Sequence, residues 1–258
     1  MRPRRRTLAA VTILAAVLAA AAAVWLLAIR PRTEPVPIGE AVTTFRAAPA
    51  GGATAAGLPR AGVYVYATTG SEQVDALTGE THRYPARTAV TVAGTACGFV
   101  ETWSPIRGRS AAATTCRAGG GLAQRRLVDR HTFLGVAATR AYRCTPTSWE
   151  LPPRPRPRLA WAGRCVSKEI RTASRGRVIG LERVVVGGRT VAAVHLRTAY
   201  RQAGESRGGG VRDVWRRRPD GLLLRVRAGE EDVTGSPVGD VTYTERYSLA
   251  LTGLTPRR

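Results

Sequence analysis

The chain has no asparagine, and Lys168 is its only lysine, so the other members of its forty Lys and Arg residues are arginines. With abundant alanine, that pairing reflects a GC-rich coding genome rather than a selected arginine chemistry. No cysteine occurs before Cys97, so a lipoprotein signal, which needs a cysteine at its end, is not expected here. No C-x-x-C occurs either, so zinc binding and dithiol redox catalysis are poor fits. The three histidines, His82, His131 and His195, are far apart and lack ligand spacing such as i, i+4 on a helix. No basic run is dense enough for a nucleic-acid arm: residues 61–160 carry thirteen Arg against six acids, and 161–258 carry nineteen Arg or Lys against ten. Nucleic acid is therefore not an expected partner. The net charge of +22 is spread out, as on a solvated basic surface.

What is present begins with residues 7–29, an apolar run without a charge. As a helix it rises about 34 Å, enough for a bilayer core of about 30 Å. Arg2, Arg4, Arg5 and Arg6 precede it, while Arg30 and Arg32 follow. The heavier positive flank comes first, so the N-terminus is expected in the cytoplasm and the rest of the chain outside it. A cleaved secretory signal is the alternative, although its apolar region is usually about 7–15 residues. The expected organisation is a cytoplasmic tail (1–6), a single-pass transmembrane signal anchor in the cell membrane (7–29), a flexible stalk (30–59) and an extracytoplasmic β domain (60–258).

Beyond the anchor lie four cysteines, Cys97, Cys116, Cys144 and Cys165. In an oxidising compartment they are expected as disulfides, and nearest-neighbour pairing joins Cys97 to Cys116 and Cys144 to Cys165. Short β-branched and aromatic runs recur from residue 62 onward, separated by Gly and Pro turn signals. Residues 122–138 are the one stretch with roughly helical apolar spacing. Strands are expected near 165–172, 177–186, 190–201, 211–217, 221–228 and 240–251. Gly187-Gly188 suits a tight hairpin, and Pro219-Asp220-Gly221 a turn. Tight turns between successive strands give an antiparallel meander, hence an all-β fold with a curved sheet.

The stretch Gly210-Val-Arg-Asp-Val-Trp-Arg-Arg-Arg-Pro-Asp-Gly-Leu-Leu-Leu-Arg-Val-Arg, followed by Tyr243-Thr-Glu-Arg-Tyr-Ser-Leu-Ala-Leu, resembles the last hairpin and strand of bacterial lipoprotein-carrier half-barrels. It is most similar to uncharacterised, membrane-anchored actinobacterial members of that type. The resemblance implies a half-barrel or open barrel wrapped around an apolar concavity that holds acyl chains. It brings no catalytic motif.

No motif for a named reaction survives inspection. Gly204-Glu-Ser-Arg-Gly208 matches the G-x-S-x-G pattern by letters, but a glycine run follows it and the last histidine, His195, lies upstream. It reads as a hairpin loop. Glu230-Glu231-Asp232 with Asp240 lacks a calcium-loop pattern and reads as an exposed acidic turn. Asp129-Arg130-His131 is not expected to form an acid–base pair.

Strand alternation is more informative. Leu222, Leu224 and Val226 share one face; so do Val241, Tyr243, Tyr247, Leu249 and Leu251, and so do Val211 and Trp215. Asp213 and Glu245 fall on these apolar faces, where an unpaired carboxylate costs several kcal/mol. The expected ligand site is therefore Trp215, Leu224, Tyr243 and Tyr247, with Asp213 and Glu245 at its mouth. An ordinary closed core, or a bulge that turns the acids outward, are the competing explanations. The expected function is a non-enzymatic, membrane-anchored envelope protein that binds an apolar or lipidic ligand or a lipidated partner, with no cofactor and no metal. The alternative is a structural module that binds anionic envelope polymers through arginine.

Overall fold

A computed structural model describes residues 34–48, 53–76, 79–133, 135–236 and 239–258. Residues 7–29, expected to span the membrane, lie outside the described residues, as does the tail at 1–6. The one helix among the described residues, α1 (Ile38–Ala47), has ten residues. No described helix is long and apolar enough to cross a membrane, so the structure gives the expected single-pass anchor no support. α1 falls within the stretch expected as a stalk and sits against the strands. The Val36 N–H donates to the Pro105 carbonyl (3.2 Å), the Arg107 N–H to the Glu34 carbonyl (2.8 Å), and the Arg107 guanidinium pairs with Glu40 at 2.9 Å.

The strands are β1 (Gly62–Val74), β2 (Glu80–Arg83), β3 (Arg87–Thr95), β4 (Gly98–Ile106), β5 (Arg109–Ala118), β6 (Gly121–Phe133), β7 (Val136–Cys144) and β8 (Trp149–Leu151). They continue as β9 (Ala160–Val166), β10 (Ile170–Val186), β11 (Arg189–Gly204), β12 (Ser206–Arg217), β13 (Leu223–Ser236) and β14 (Gly239–Leu251). The interstrand pairings are antiparallel, as tight turns require. At Gly187-Gly188 both glycines have positive φ, 54° and 77°, the two-residue hairpin geometry that other residues resist.

β14 pairs with β13 on one edge and with β1 on the other, from Tyr66 opposite Leu251 to Val74 opposite Tyr243. That pairing shuts the sheet into a closed barrel of twelve strands, with β2 and β8 as short additions to β1 and β6. The closed ring corrects the expectation of a half-barrel or open barrel. Local turn signals specify each hairpin, but the meeting of first and last strands depends on the register accumulated around the whole ring. Residues 122–138 are likewise not a helix. They are β6 and the start of β7, because β6 finds backbone partners in β5 and β7 on its two sides.

Both expected disulfides form. Cys116 lies on β5 beside the turn carrying Cys97. Cys144 and Cys165 stand directly opposite each other at the β7–β9 junction, where the ladder adds Arg143 opposite Val166 and the next residue, Thr145, bonds to Arg164. This bridge therefore crosses the narrowest seam of the ring.

Inside, the two ends differ. Towards the rim holding Gly187-Gly188, Tyr64, Tyr66, Phe99, Leu222 and Leu224 are at most 1% exposed and belong to one apolar core. Towards the rim of the β6–β7 and β13–β14 turns, the inward side chains are polar and surround a cavity.

Candidate functional site

β13 carries the transition within a single strand. By alternation Leu224, Val226, Ala228, Glu230, Asp232 and Thr234 face inward. The first two belong to the core and the last four line the cavity. On β14 the inward row is Leu249 in the core, then Tyr247, Glu245, Tyr243 and Val241 around the cavity. The cavity has a volume of about 360 Å³. Tyr142, Trp149 and Trp161, from β7, β8 and β9, form an aromatic wall. Trp161 lies across Gly176 of β10, where a Cβ would sit inside the indole, so the glycine makes room for the ring.

Register places three glutamates side by side: Glu72 on β1 is opposite Glu245 on β14, which is opposite Glu230 on β13. Like charges directly opposite destabilise a sheet, and burial aggravates the effect. Each is relieved differently. Arg109 grips Glu245 with two hydrogen bonds of 3.1 Å and reaches Asp129 at 2.5 Å, and the Tyr84 hydroxyl also donates to Glu245. Glu72 meets His82 and His131, each at 2.9 Å, and accepts from the Tyr243 hydroxyl at 3.2 Å. Burial alone would raise its pKa, but hydrogen bonds from the two histidines hold the carboxyl below the ordinary carboxylate range. His131 is held from its other side by Asp129 at 2.7 Å. Burial would lower its pKa, yet the Asp129 charge and the two hydrogen bonds outweigh that and carry it up to about 9.

Glu230 is the exception. It accepts a hydrogen bond from the Tyr200 hydroxyl but pairs with no cation among the described residues. Burial, reinforced by the Glu245 and Asp129 charges, pushes its carboxyl up to about 8. Asp232, two residues on along the same inward row, is raised to about 6, chiefly by burial.

A second buried network lies between cavity and core. Arg216 is 2% exposed and donates at 2.6 Å to both Glu101 and Glu150, while Arg212 donates to both oxygens of Glu150 at 2.7 and 2.6 Å.

Of the residues named from the sequence, Tyr243, Glu245 and Tyr247 line the cavity. Leu224 is in the packed core, 1% exposed. Trp215 and Asp213 share the other face of β12, opposite His195 and Arg197 of β11, and do not line the cavity. There Trp215 stacks on His195 at 4.0 Å and donates to Glu182 at 2.7 Å, with the Arg225 guanidinium 5.5 Å from its ring centre. Asp213 accepts from Arg197 at 2.9 Å and lies 2.8 Å from His195 Nε2. The buried Trp215 thus belongs to the apolar cluster and is also covered by a stacked histidine and two arginines, Arg225 and Arg227.

Glu230 and Asp232 correct the expectation of an exposed acidic turn, since β13 runs on to Ser236 and turns both inward. Asp129 and His131 correct the expectation that they stay apart, because residues i and i+2 of a strand share a face. Ser206 sits at the start of β12, fully buried, 2.5 Å from the Thr234 hydroxyl and 3.2 Å from Arg140. Among the described residues no group of His, Cys, Asp and Glu is placed to hold a metal ion.

No family model matches the chain, and no curated protein matches it. A solved structure of the hypothetical lipoprotein YmcC from Escherichia coli (K12) is similar, with 13% identity over 82% of this chain and 96% of that one, at a TM-score of 0.33. At that score the likeness carries no argument about function.

Proposed function

We propose that the barrel is a non-enzymatic binding module of the cell envelope that holds an apolar or lipidic ligand, free or as the lipid moiety of a partner, in the cavity of its charged end. The observation that carries this is the cavity itself, about 360 Å³ inside a ring otherwise filled by side chains. That volume falls in the range of small-molecule sites, and its lining combines aromatic rings with a few placed polar groups, as such sites do. The two disulfides support an oxidising compartment outside the cytoplasm.

Native mass spectrometry after gentle purification tests the proposal. A co-purifying small mass is expected, lost in Ala228→Trp, which places an indole in the cavity, while circular dichroism confirms that the variant folds. A protein that carries no small molecule and takes up no apolar probe in titration overturns the reading.

A further inference from the structure

The charges around the cavity divide into committed and free groups. Arg109 is held by Glu245 and Asp129, and Arg212 by Glu150. Arg140 turns towards Ser206 and Glu205 at the rim, and His131 lies between Glu72 and Asp129. Every cation lining the cavity thus has an identified partner. Glu230 and Asp232 have no cation within ion-pair distance among the described residues, and Asp232 Oδ1 is buried without a hydrogen-bond partner. The lining is therefore short of positive charge at one place on its wall, although the whole chain carries +22.

Resting on the binding function proposed above, we infer that the ligand bears a positively charged nitrogen, an amine or a quaternary ammonium, which seats against Glu230 and Asp232 while its apolar part lies along Tyr142, Trp149 and Trp161. The aromatic lining suits this group twice. Tyr200 and Tyr243 share the cavity with the two acids, and tyrosine rings attract a desolvated cation. The tryptophans bury hydrocarbon. An anionic head would face Glu230, Asp232, Glu245 and Asp129 at once, and a neutral head would leave the two acids without a counter-charge. The carboxyls that already have cations, Glu72, Asp129 and Glu150, are held below the ordinary range, whereas Glu230 and Asp232 are raised. A bound cation would bring the second pair into line with the first.

Three probes with one eight-carbon chain and different heads test the inference: octyltrimethylammonium, octanol and octanoate, each titrated below its micelle concentration against the full chain, followed by calorimetry. The ammonium is expected to bind about tenfold or more tighter than octanol, with octanoate weakest. In the double variant Glu230→Gln, Asp232→Asn the ammonium should lose its advantage over octanol measured on the same variant. Octanol or octanoate binding as tightly as the ammonium overturns the assigned charge and leaves the apolar site standing. If none of the three binds, the binding function fails and the inference with it.

Discussion

Along β13 the inward residues change from Leu224 and Val226 to Glu230 and Asp232, and β1 changes in step from Tyr64 and Tyr66 to Glu72. The same strands thus build a dry end and a charged end within one ring. At the dry end each fully buried large apolar side chain contributes roughly 1.5–3 kcal/mol, whatever its exact partners. At the charged end stability depends on complete partnerships, since a buried ion pair gains little but a broken one costs much. The dry end fits a role in holding the ring together, and the charged end a role in recognition.

Arg109 should give the largest effect. Arg109→Leu leaves Glu245 without its cation and Asp129 with His131 alone, and a loss of about 3–5 kcal/mol is expected in denaturant unfolding at neutral pH. Adding Glu245→Leu should recover a good part of it. If the single variant costs no more than an exposed substitution, the charged end does not depend on complete pairs. At the dry end Leu224→Ala should cost about 3 kcal/mol and should not recover with any single partner change, because the deficit is a cavity rather than a stranded charge.

The disulfides sharpen the comparison on another axis. Their sequence separations are 19 and 21, so chain entropy predicts nearly equal contributions of about 3 kcal/mol each. Cys144–Cys165, however, crosses the short β7–β9 junction, whereas Cys97–Cys116 lies beside the longer β4–β5 ladder. Replacing Cys144 and Cys165 by serine should therefore cost more, by about 1 kcal/mol, and should speed amide exchange in β9. Equal costs for the two pairs would mean that the seam is held by its surroundings.

Much of the fold was legible wherever information is local. The cysteine pairing, the Gly187-Gly188 turn and the alternation of β13 and β14 all follow from neighbours in sequence. Barrel closure does not, because it requires β14 to meet β1 some 180 residues away, from Leu251 back to Tyr66. The charged cluster was hidden for a related reason. Taking residues 122–138 as helical separates Asp129 from His131, although on a strand they are same-face neighbours. Ending the β13 strand near residue 228 turned Glu230 and Asp232 into loop residues. Glu245 was marked by its misfit among Tyr243 and Tyr247, but its partner Arg109 lies 136 residues away and has no sequence signal.

An effect read against pH separates the two kinds of buried acid. Glu230 has an ordinary pKa of 4.5 and a folded-state value of about 8, so between those limits the folded chain keeps a proton that the unfolded chain has lost. The stabilisation linked to that proton is complete below about pH 4.5 and disappears as pH rises through 8. Asp232, raised from 3.8 to about 6, and His131, raised from 6.5 to about 9, act in the same direction over lower and higher windows. Glu72, Asp129 and Glu150 have lowered values and act oppositely, their contribution being lost only as pH falls below the ordinary carboxylate range. Stability should therefore fall between pH 5 and pH 8. Glu230 faces Tyr200 on β11, Glu245 on β14 and Asp129 on β6, so its deprotonation adds a negative charge among carboxylates. Glu230→Gln keeps an acceptor for the Tyr200 hydroxyl and removes the titration. It should flatten the decline in part, leaving the share due to Asp232 and His131, and exceed the wild type at pH 8. Urea unfolding at intervals across that range measures the slope. Parallel curves for the two proteins would place Glu230 among the carboxylates that are already charged and balanced.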